Sequence, residues 1–211
     1  MAKEMVSIMF DHRKYLTDEQ KKEIEAITDH NRWMGYKNVR FNLKIWEAFW
    51  KYMYQGTFTN NDSAHKVLDY GTGASWSIVT GRALGFDVTG LDIDTDEAKD
   101  IFSKFHQIVG VEASHWDGKK MPFSEDCFDV IVSKASLSKL RKTGWETTIA
   151  ELLRVSKVGA TWYIAPEYMY YRIPQELVTR AQVEKDVRFC AWDWNRKDDR
   201  NDRFQPARIN D

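Results

Sequence analysis

Cysteine is scarce in this chain of 211 residues: Cys127 and Cys190 are too few for a disulfide framework and lack the Cys-x-x-Cys spacing of a zinc site. A reduced intracellular setting is therefore expected, with no metal. No apolar run approaches the roughly 18 residues of a membrane span, and Met1-Ala2-Lys3-Glu4-Met5 lacks a signal-peptide pattern. The expected location is the cytoplasm, with no membrane partner. Excess charge is missing as well. With 31 basic and 32 acidic residues the net charge is −1, so the overall balance calls for neither nucleic acid nor an acidic surface. Finally, no Gly-x-x-x-x-Gly-Lys-Ser/Thr loop occurs, which argues against a nucleoside triphosphate.

What is present centres on Lys66-Val67-Leu68-Asp69-Tyr70-Gly71-Thr72-Gly73-Ala74-Ser75. Val67 and Leu68 read as a buried strand, and Gly71 and Gly73 let the backbone turn sharply and approach a ligand. Trp76 to Leu84 is apolar at helical spacing and stops at Gly85, a C′ residue. Strand, glycine turn and helix open a nucleotide-binding βαβ unit, although such a turn also serves as a plain structural corner. Phe86 to Asp92 reads as a second strand ending in a carboxylate. Asp92 lies 21 residues beyond Gly71, about where a doubly wound fold places the acid that holds a ribose diol. A dinucleotide fingerprint needs a third glycine where this chain has Trp76. A nucleoside without phosphates fits better.

These residues resemble the class I S-adenosylmethionine-dependent methyltransferases. Asp69, Gly71 and Gly73 match the Asp-x-Gly-x-Gly-x-Gly motif of that family, with Ser75 replacing the last glycine. Asp92 matches the acid closing the second strand. His115-Trp116-Asp117-Gly118 followed by Met121-Pro122-Phe123 is similar to the family's Gly-Asp-Ala and Leu-Pro-Phe segments. Phe128 to Ser133 is similar to its fourth strand, and Glu151 to Ala160 to the helix and turn before its fifth. The resemblance spans roughly residues 66–167. It implies S-adenosyl-L-methionine as cofactor, bound by Asp69, Gly71, Gly73, Asp92, Ile93, Trp116, Asp117 and Ser133. Asp117 would accept a bond from the adenine amino group, with Trp116 or Ile93 lining the ring. Asp117-Gly118 also reads as a simple turn.

Around that core, Thr17-Asp18-Glu19-Gln20 is a capping-box pattern that opens a charged helix with Ile24 and Ile27 on one face. A second helix is expected from about Phe41 to Tyr54, its apolar face carrying Phe41, Ile45, Trp46, Phe49, Trp50 and Met53 and packing on the domain. Trp33 or Tyr36 could close over the cofactor, because an aromatic face suits a sulfonium cation. Beyond the second strand, Asp94 or Thr95 caps a helix to about Gln107 with Ile101 and Phe105 inward. Val109 to His115 reads as the third strand, Thr143-Gly144-Trp145-Glu146 as a capping box, and Thr161 to Ala165 as the fifth strand. Pro174 suits the first turn of a helix to about Glu184, and Val187 to Trp194 reads as one more strand.

The expected architecture is α/β: a Rossmann-like, doubly wound, mainly parallel sheet with N-terminal helices and a shortened C-terminal sheet edge. The divisions are an N-terminal helical cap at 1–65, the cofactor-binding core at 66–195 and a charged tail at 196–211, which is solvated or forms a homo-oligomer contact. Methyl transfer is an in-line displacement, so alignment and exclusion of water matter most. An acceptor that must lose a proton also needs a base, for which Glu167 stands just beyond the fifth strand. Ser133, Lys134 and Ser136 stand at the end of the fourth. This chain has Leu137-Ser138-Lys139-Leu140 where relatives often carry histidine, and no Asn-Pro-Pro-Tyr signature follows the fourth strand. The expected function is methylation of a small-molecule or sugar-like acceptor. The alternative is a non-catalytic descendant used for binding or assembly.

Overall fold

In the computed structural model, which describes residues 11–27, 38–54, 65–93, 96–137, 144–165 and 173–191, the run Lys66–Tyr70 is a strand, β1, buried from Val67 onward. Five more strands join it in one parallel sheet: β2 (Asp87–Ile93), β3 (Ala113–Trp116), β4 (Phe128–Lys134), β5 (Ser156–Ala165) and β6 (Arg188–Ala191). Their order across the sheet is β3-β2-β1-β4-β5-β6. The chain therefore works outward on one side, returns to the centre and works outward on the other. Parallel neighbours demand crossovers, and helices supply them: α3 (Trp76–Ala83), α4 (Asp96–Val109), α5 (Trp145–Val155) and α6 (Gln175–Lys185).

Alternation along the strands feeds two cores. Val67, Val88, Val130, Val132 and Tyr163 point to one face, where α3 and α4 pack. Leu68, Leu91, Ile131, Trp162 and Ile164 point to the other, against α5 and α6. The capping box forms as expected: Thr17 Oγ1 accepts the Gln20 amide at 3.1 Å, and Gln20 Oε1 accepts the Thr17 amide at 2.9 Å. It opens α1 (Asp18–Ile27). Ile24 is fully buried and Ile27 partly so. The Gln20 side chain also donates to Ile108 O of α4 at 2.7 Å.

The second helix differs from its expected form. It begins as α2 (Val39–Ala48), capped by Asn38, whose side chain accepts the Phe41 amide, and continues as a π-helical turn over Phe49–Tyr54. Phe41 is 49% exposed, whereas Val39, Leu43, Trp46, Phe49 and Trp50 are buried. The inward stripe thus runs through Val39, Leu43, Trp46 and Trp50, and Phe41 points away from it. Trp50 is central to the first core, its indole N–H donating to Ser77 O and Thr80 Oγ1, both at 3.1 Å. α3 comes this close because Gly81 has no side chain. A Cβ there would lie 2.6 Å from Val88 Cγ2 and 2.9 Å from the Trp50 ring. Although alanine is normally the better helix former by about 1 kcal/mol, Gly81→Ala is expected to destabilise the fold by about 1–3 kcal/mol through overpacking. Urea unfolding should show a lower midpoint at unchanged slope.

Other boundaries shift for identifiable reasons. α4 runs to Val109, and Gly110 at φ +68° ends it, with the Val111 amide closing back on His106 O at 3.0 Å. The third strand therefore starts at Ala113 rather than Val109. β5 begins at Ser156, ahead of Thr161, through a register shift opposite Phe128 and Val130. Pro174 occupies the N-cap of α6 instead of its first turn. Gly144 is the N-cap of α5 without a side-chain bond, and Thr143 lies outside the described residues, as do Asp94 and Thr95. Among the described residues one strand follows β5, and it runs parallel to it, pairing Thr161 with Arg188 and Ile164 with Ala191.

Candidate active site

Strand order reverses between β1 and β4, and in open parallel sheets the crevice beyond the strand ends at such a point receives ligands. The glycine turn stands there. Gly71 (φ +75°) and Gly73 (φ +52°) both take the left-handed conformation. The Gly71 and Thr72 amides donate to Leu91 O at 2.7 and 3.2 Å, anchoring the turn on β2. The next amide, of Gly73, donates to Asp92 Oδ2 at 2.8 Å. The acid closing the second strand is thus in direct contact with the bend. Asp92 is half-buried at the rim.

Ser75, standing where the family motif has glycine, holds φ +58° without glycine's freedom. Its strain is met from below by α4. Ser75 Oγ lies 2.8 Å from His106 Nε2, which is also 2.9 Å from Gly73 O. A carbonyl only accepts, so Nε2 carries a proton directed at Gly73 O and shared with the serine hydroxyl. His106 is buried, and burial pushes its pKa below the ordinary histidine value, favouring the neutral ring. Asp69 is the turn's other support. It is 2% exposed, and its carboxylate accepts the Ser77 hydroxyl in the first turn of α3. Burial lifts its pKa to about 6, opposed by the Ser77 and Thr72 hydroxyls and by the charge of Lys134.

The end of β4 forms the opposite wall. Ser136 Oγ donates to Gly71 O at 2.9 Å and lies 3.2 Å from Lys134 O. A Cβ on residue 71 would fall 2.0 Å from Ser136 Oγ, so only glycine lets these segments meet. Lys134 is half-buried, with Nζ 6.0 Å from the centre of the Trp46 ring. Burial lowers its pKa while the charge of Asp69 raises it. On the other side of the turn, β2 and β3 end together, with Ile93 paired to Trp116. Trp116 is buried with its ring edge-on to Tyr70 at 6.2 Å, and among the described residues its indole N–H has no hydrogen-bond partner.

With that geometry in view, residues 67–159 match the family described as methyltransferase domain. The match covers 93 of the 211 residues, from β1 to a point within β5. The strand order around it is that of an open, doubly wound α/β sheet. No match is found among curated protein sequences. Among solved structures, the chain is similar to the YcgJ protein from Bacillus subtilis (22% identity, 57% of this chain and 47% of that one, TM-score 0.39). It is also similar to the PH0226 protein from Pyrococcus horikoshii (18%, 68% and 63%, TM-score 0.45) and to a SAM-dependent methyltransferase from Aquifex aeolicus (20%, 56% and 68%, TM-score 0.38). The chain spans about half the length of the Bacillus protein.

Within the matched segment, Asp69, Gly71, Gly73 and Asp92 converge on one turn. Ile93 ends β2 nearby; its side chain is outside the described residues. Asp117 is exposed just past β3, and its carboxylate accepts the Lys119 amide at 2.9 Å, which helps to hold it below the usual carboxylate range. Ser133 is buried, with no hydrogen-bond partner for its hydroxyl among the described residues; by strand alternation it lies on the face opposite Val132 and Lys134. Glu167, Trp33 and Tyr36 lie outside the described residues. Two contributors escaped the sequence reading, Ser77 and His106. The signal for His106 is a polar residue inside the inward stripe of α4, next to Phe102 and Phe105, both buried. Trp76, in place of a dinucleotide glycine, starts α3 with its ring against Phe105 at 6.1 Å.

Proposed function

We propose that this chain is a methyltransferase that moves the methyl group of S-adenosylmethionine to a small-molecule or sugar-like acceptor. The observation carrying the reading is the contact between Gly73 N–H and the Asp92 carboxylate. It fixes the acid at the rim beside the switch point, where a ribose diol can donate to it. The residues present suit a phosphate-free nucleoside. An acid rather than a cation faces the turn, the first turn of α3 presents Trp76 instead of a glycine approach to phosphate, and Trp116 offers an unpartnered indole N–H beside the expected base position. Asp117 would meet the adenine amino group once its carboxylate is shared with the Lys119 amide.

The cofactor supplies an already activated methyl carbon, so this chain's residues have to orient and enclose. Asp92 grips the ribose, and the Gly71–Gly73 backbone approaches the nucleoside. The β4 end with Lys134 and Ser136 walls the side on which an acceptor enters. Holding the reactants in line removes entropy from the barrier, and exclusion of water strengthens the polar contacts within. Glu167, beyond β5, is the proposed base for an acceptor that must lose a proton. A binding-only role is the weaker reading. Ser75, the departure from the motif that would favour it, is accommodated by its bond to His106. Titration calorimetry with S-adenosylmethionine tests the proposal. Heat and a thermal shift are expected, and their absence at millimolar ligand would sink it.

A further inference from the structure

We propose that His106 is a positioning residue for the nucleoside site, holding the glycine turn from α4 at the height where Asp92 meets the ribose. Cofactor affinity then runs through a helix behind the turn. The inference rests on the cofactor reading above and follows from how the turn is held. Gly73 is gripped at both of its backbone polar groups: its N–H donates to Asp92 Oδ2 at 2.8 Å, and its carbonyl lies 2.9 Å from His106 Nε2. Two residues on, Ser75 keeps a left-handed conformation (φ +58°, ψ 27°) with a side chain attached. For any residue but glycine, that conformation costs a factor of roughly 5–30 in population. The same Nε2 meets the Ser75 hydroxyl at 2.8 Å, and Thr72 Oγ1 lies 3.3 Å from that hydroxyl. One buried nitrogen thus spans the strained residue and the residue that touches the rim acid.

Residue 75 is also the joint between the turn and α3. Its amide donates to Thr72 O at 2.9 Å, and its carbonyl accepts the Val79 amide at 3.0 Å. A turn released there would carry Gly73 away from Asp92. α4 is a firm mount for the opposing hold: Phe102 and Phe105 are buried beside His106, and the Phe105 ring packs against Trp76 of α3 at 6.1 Å. Burial keeps the His106 ring neutral at ordinary pH, so the hold is a hydrogen bond and not a charge. An uncharged side chain with a donor of similar reach can therefore replace it.

The test titrates S-adenosylhomocysteine into the full chain and its variants. His106→Phe keeps the ring volume and removes the nitrogen. It is expected to weaken binding roughly 5- to 30-fold, because the competent fraction falls as the left-handed conformation loses its support. His106→Gln, whose amide can donate at about the same place, should stay within about threefold of wild type. Ser75→Gly removes the strain at its source, so in that background the His106→Phe loss should shrink at least about threefold. Equal losses in both backgrounds, or a Gln variant as weak as the Phe variant, would overturn the assignment. Should His106→Phe fail to fold, Ser75→Ala and Ser75→Gly decide the matter with α4 untouched: alanine keeps the strain without the hydroxyl and should bind about fivefold more weakly than glycine. Equal affinities of those two would overturn the proposal as well. Amide exchange of Gly73 in the ligand-free chain reads the same hold without a nucleoside, and is expected to be faster in His106→Phe and unchanged in His106→Gln. Wild type that follows this exchange pattern yet binds no S-adenosylhomocysteine would refute the cofactor reading and leave the hold on the turn standing.

Discussion

Asp92→Ala is expected to weaken S-adenosylmethionine binding by about 100-fold or more. Two ribose hydroxyls donating to one carboxylate make hydrogen bonds to a charged group, each worth about 1.5–3 kcal/mol. The same substitution removes the acceptor for the Gly73 amide, so the turn loses one of its bonds to β2. Both effects act in the same direction, and Asp92→Asn separates them. Its amide oxygen can still accept from Gly73, but without charge, so an intermediate affinity is expected. Thermal melts in the absence of ligand control for the fold, because the turn keeps its bonds to Leu91 O in either variant. Calorimetry showing Asp92→Ala within about threefold of wild type, against the range expected for even one such bond, would mean that the diol is not held at β2.

The parts of this site that could be read from the sequence are those set by local rules. β1 has a short apolar run, Gly85 halts α3 at φ +89°, and an acid closes the strand about one βα unit past the turn. Those signals need no knowledge of neighbours. The parts that could not be read depend on packing between elements. Phe41 looks as inward as Trp46 until the phase of α2 is set by Val39 and Leu43 against the sheet. The end of α4 and start of β3 were blurred because the apolar pattern of Ile108 and Val109 suits either structure, and only the backbone at Gly110 decides it. Ser75 reads as a defect in the glycine motif. Its compensation arrives 31 residues later, at His106, across a tertiary contact. The orientation of Lys134 likewise depends on the register of β4 with β1 and β5, which pairs Lys134 with Ala165.

Asp69→Asn should stabilise the folded chain at neutral pH even though it alters the candidate site. Burial raises the Asp69 pKa from 3.8 to about 6, a difference worth on the order of 3 kcal/mol. Below pH 3.8 the acid is protonated in both folded and unfolded chains and the difference is absent. Between 3.8 and 6 the folded chain holds the proton more tightly, so this group's contribution to stability declines as pH rises, and above 6 the full penalty of a buried charge is in place. Asparagine never ionises and can accept the Ser77 hydroxyl through its amide oxygen. The variant should therefore exceed wild type by about 2–3 kcal/mol at pH 7.5 and match it near pH 4. His106 acts in the opposite sense. Its pKa is depressed from 6.5, so its contribution is complete above that pH and is lost as pH falls. It is common to both proteins and cancels in the comparison. Urea midpoints measured across this range decide the matter. A variant less stable than wild type at pH 7.5, with a gap that does not narrow toward pH 4, would show that the ionised carboxylate supports the turn instead of straining it.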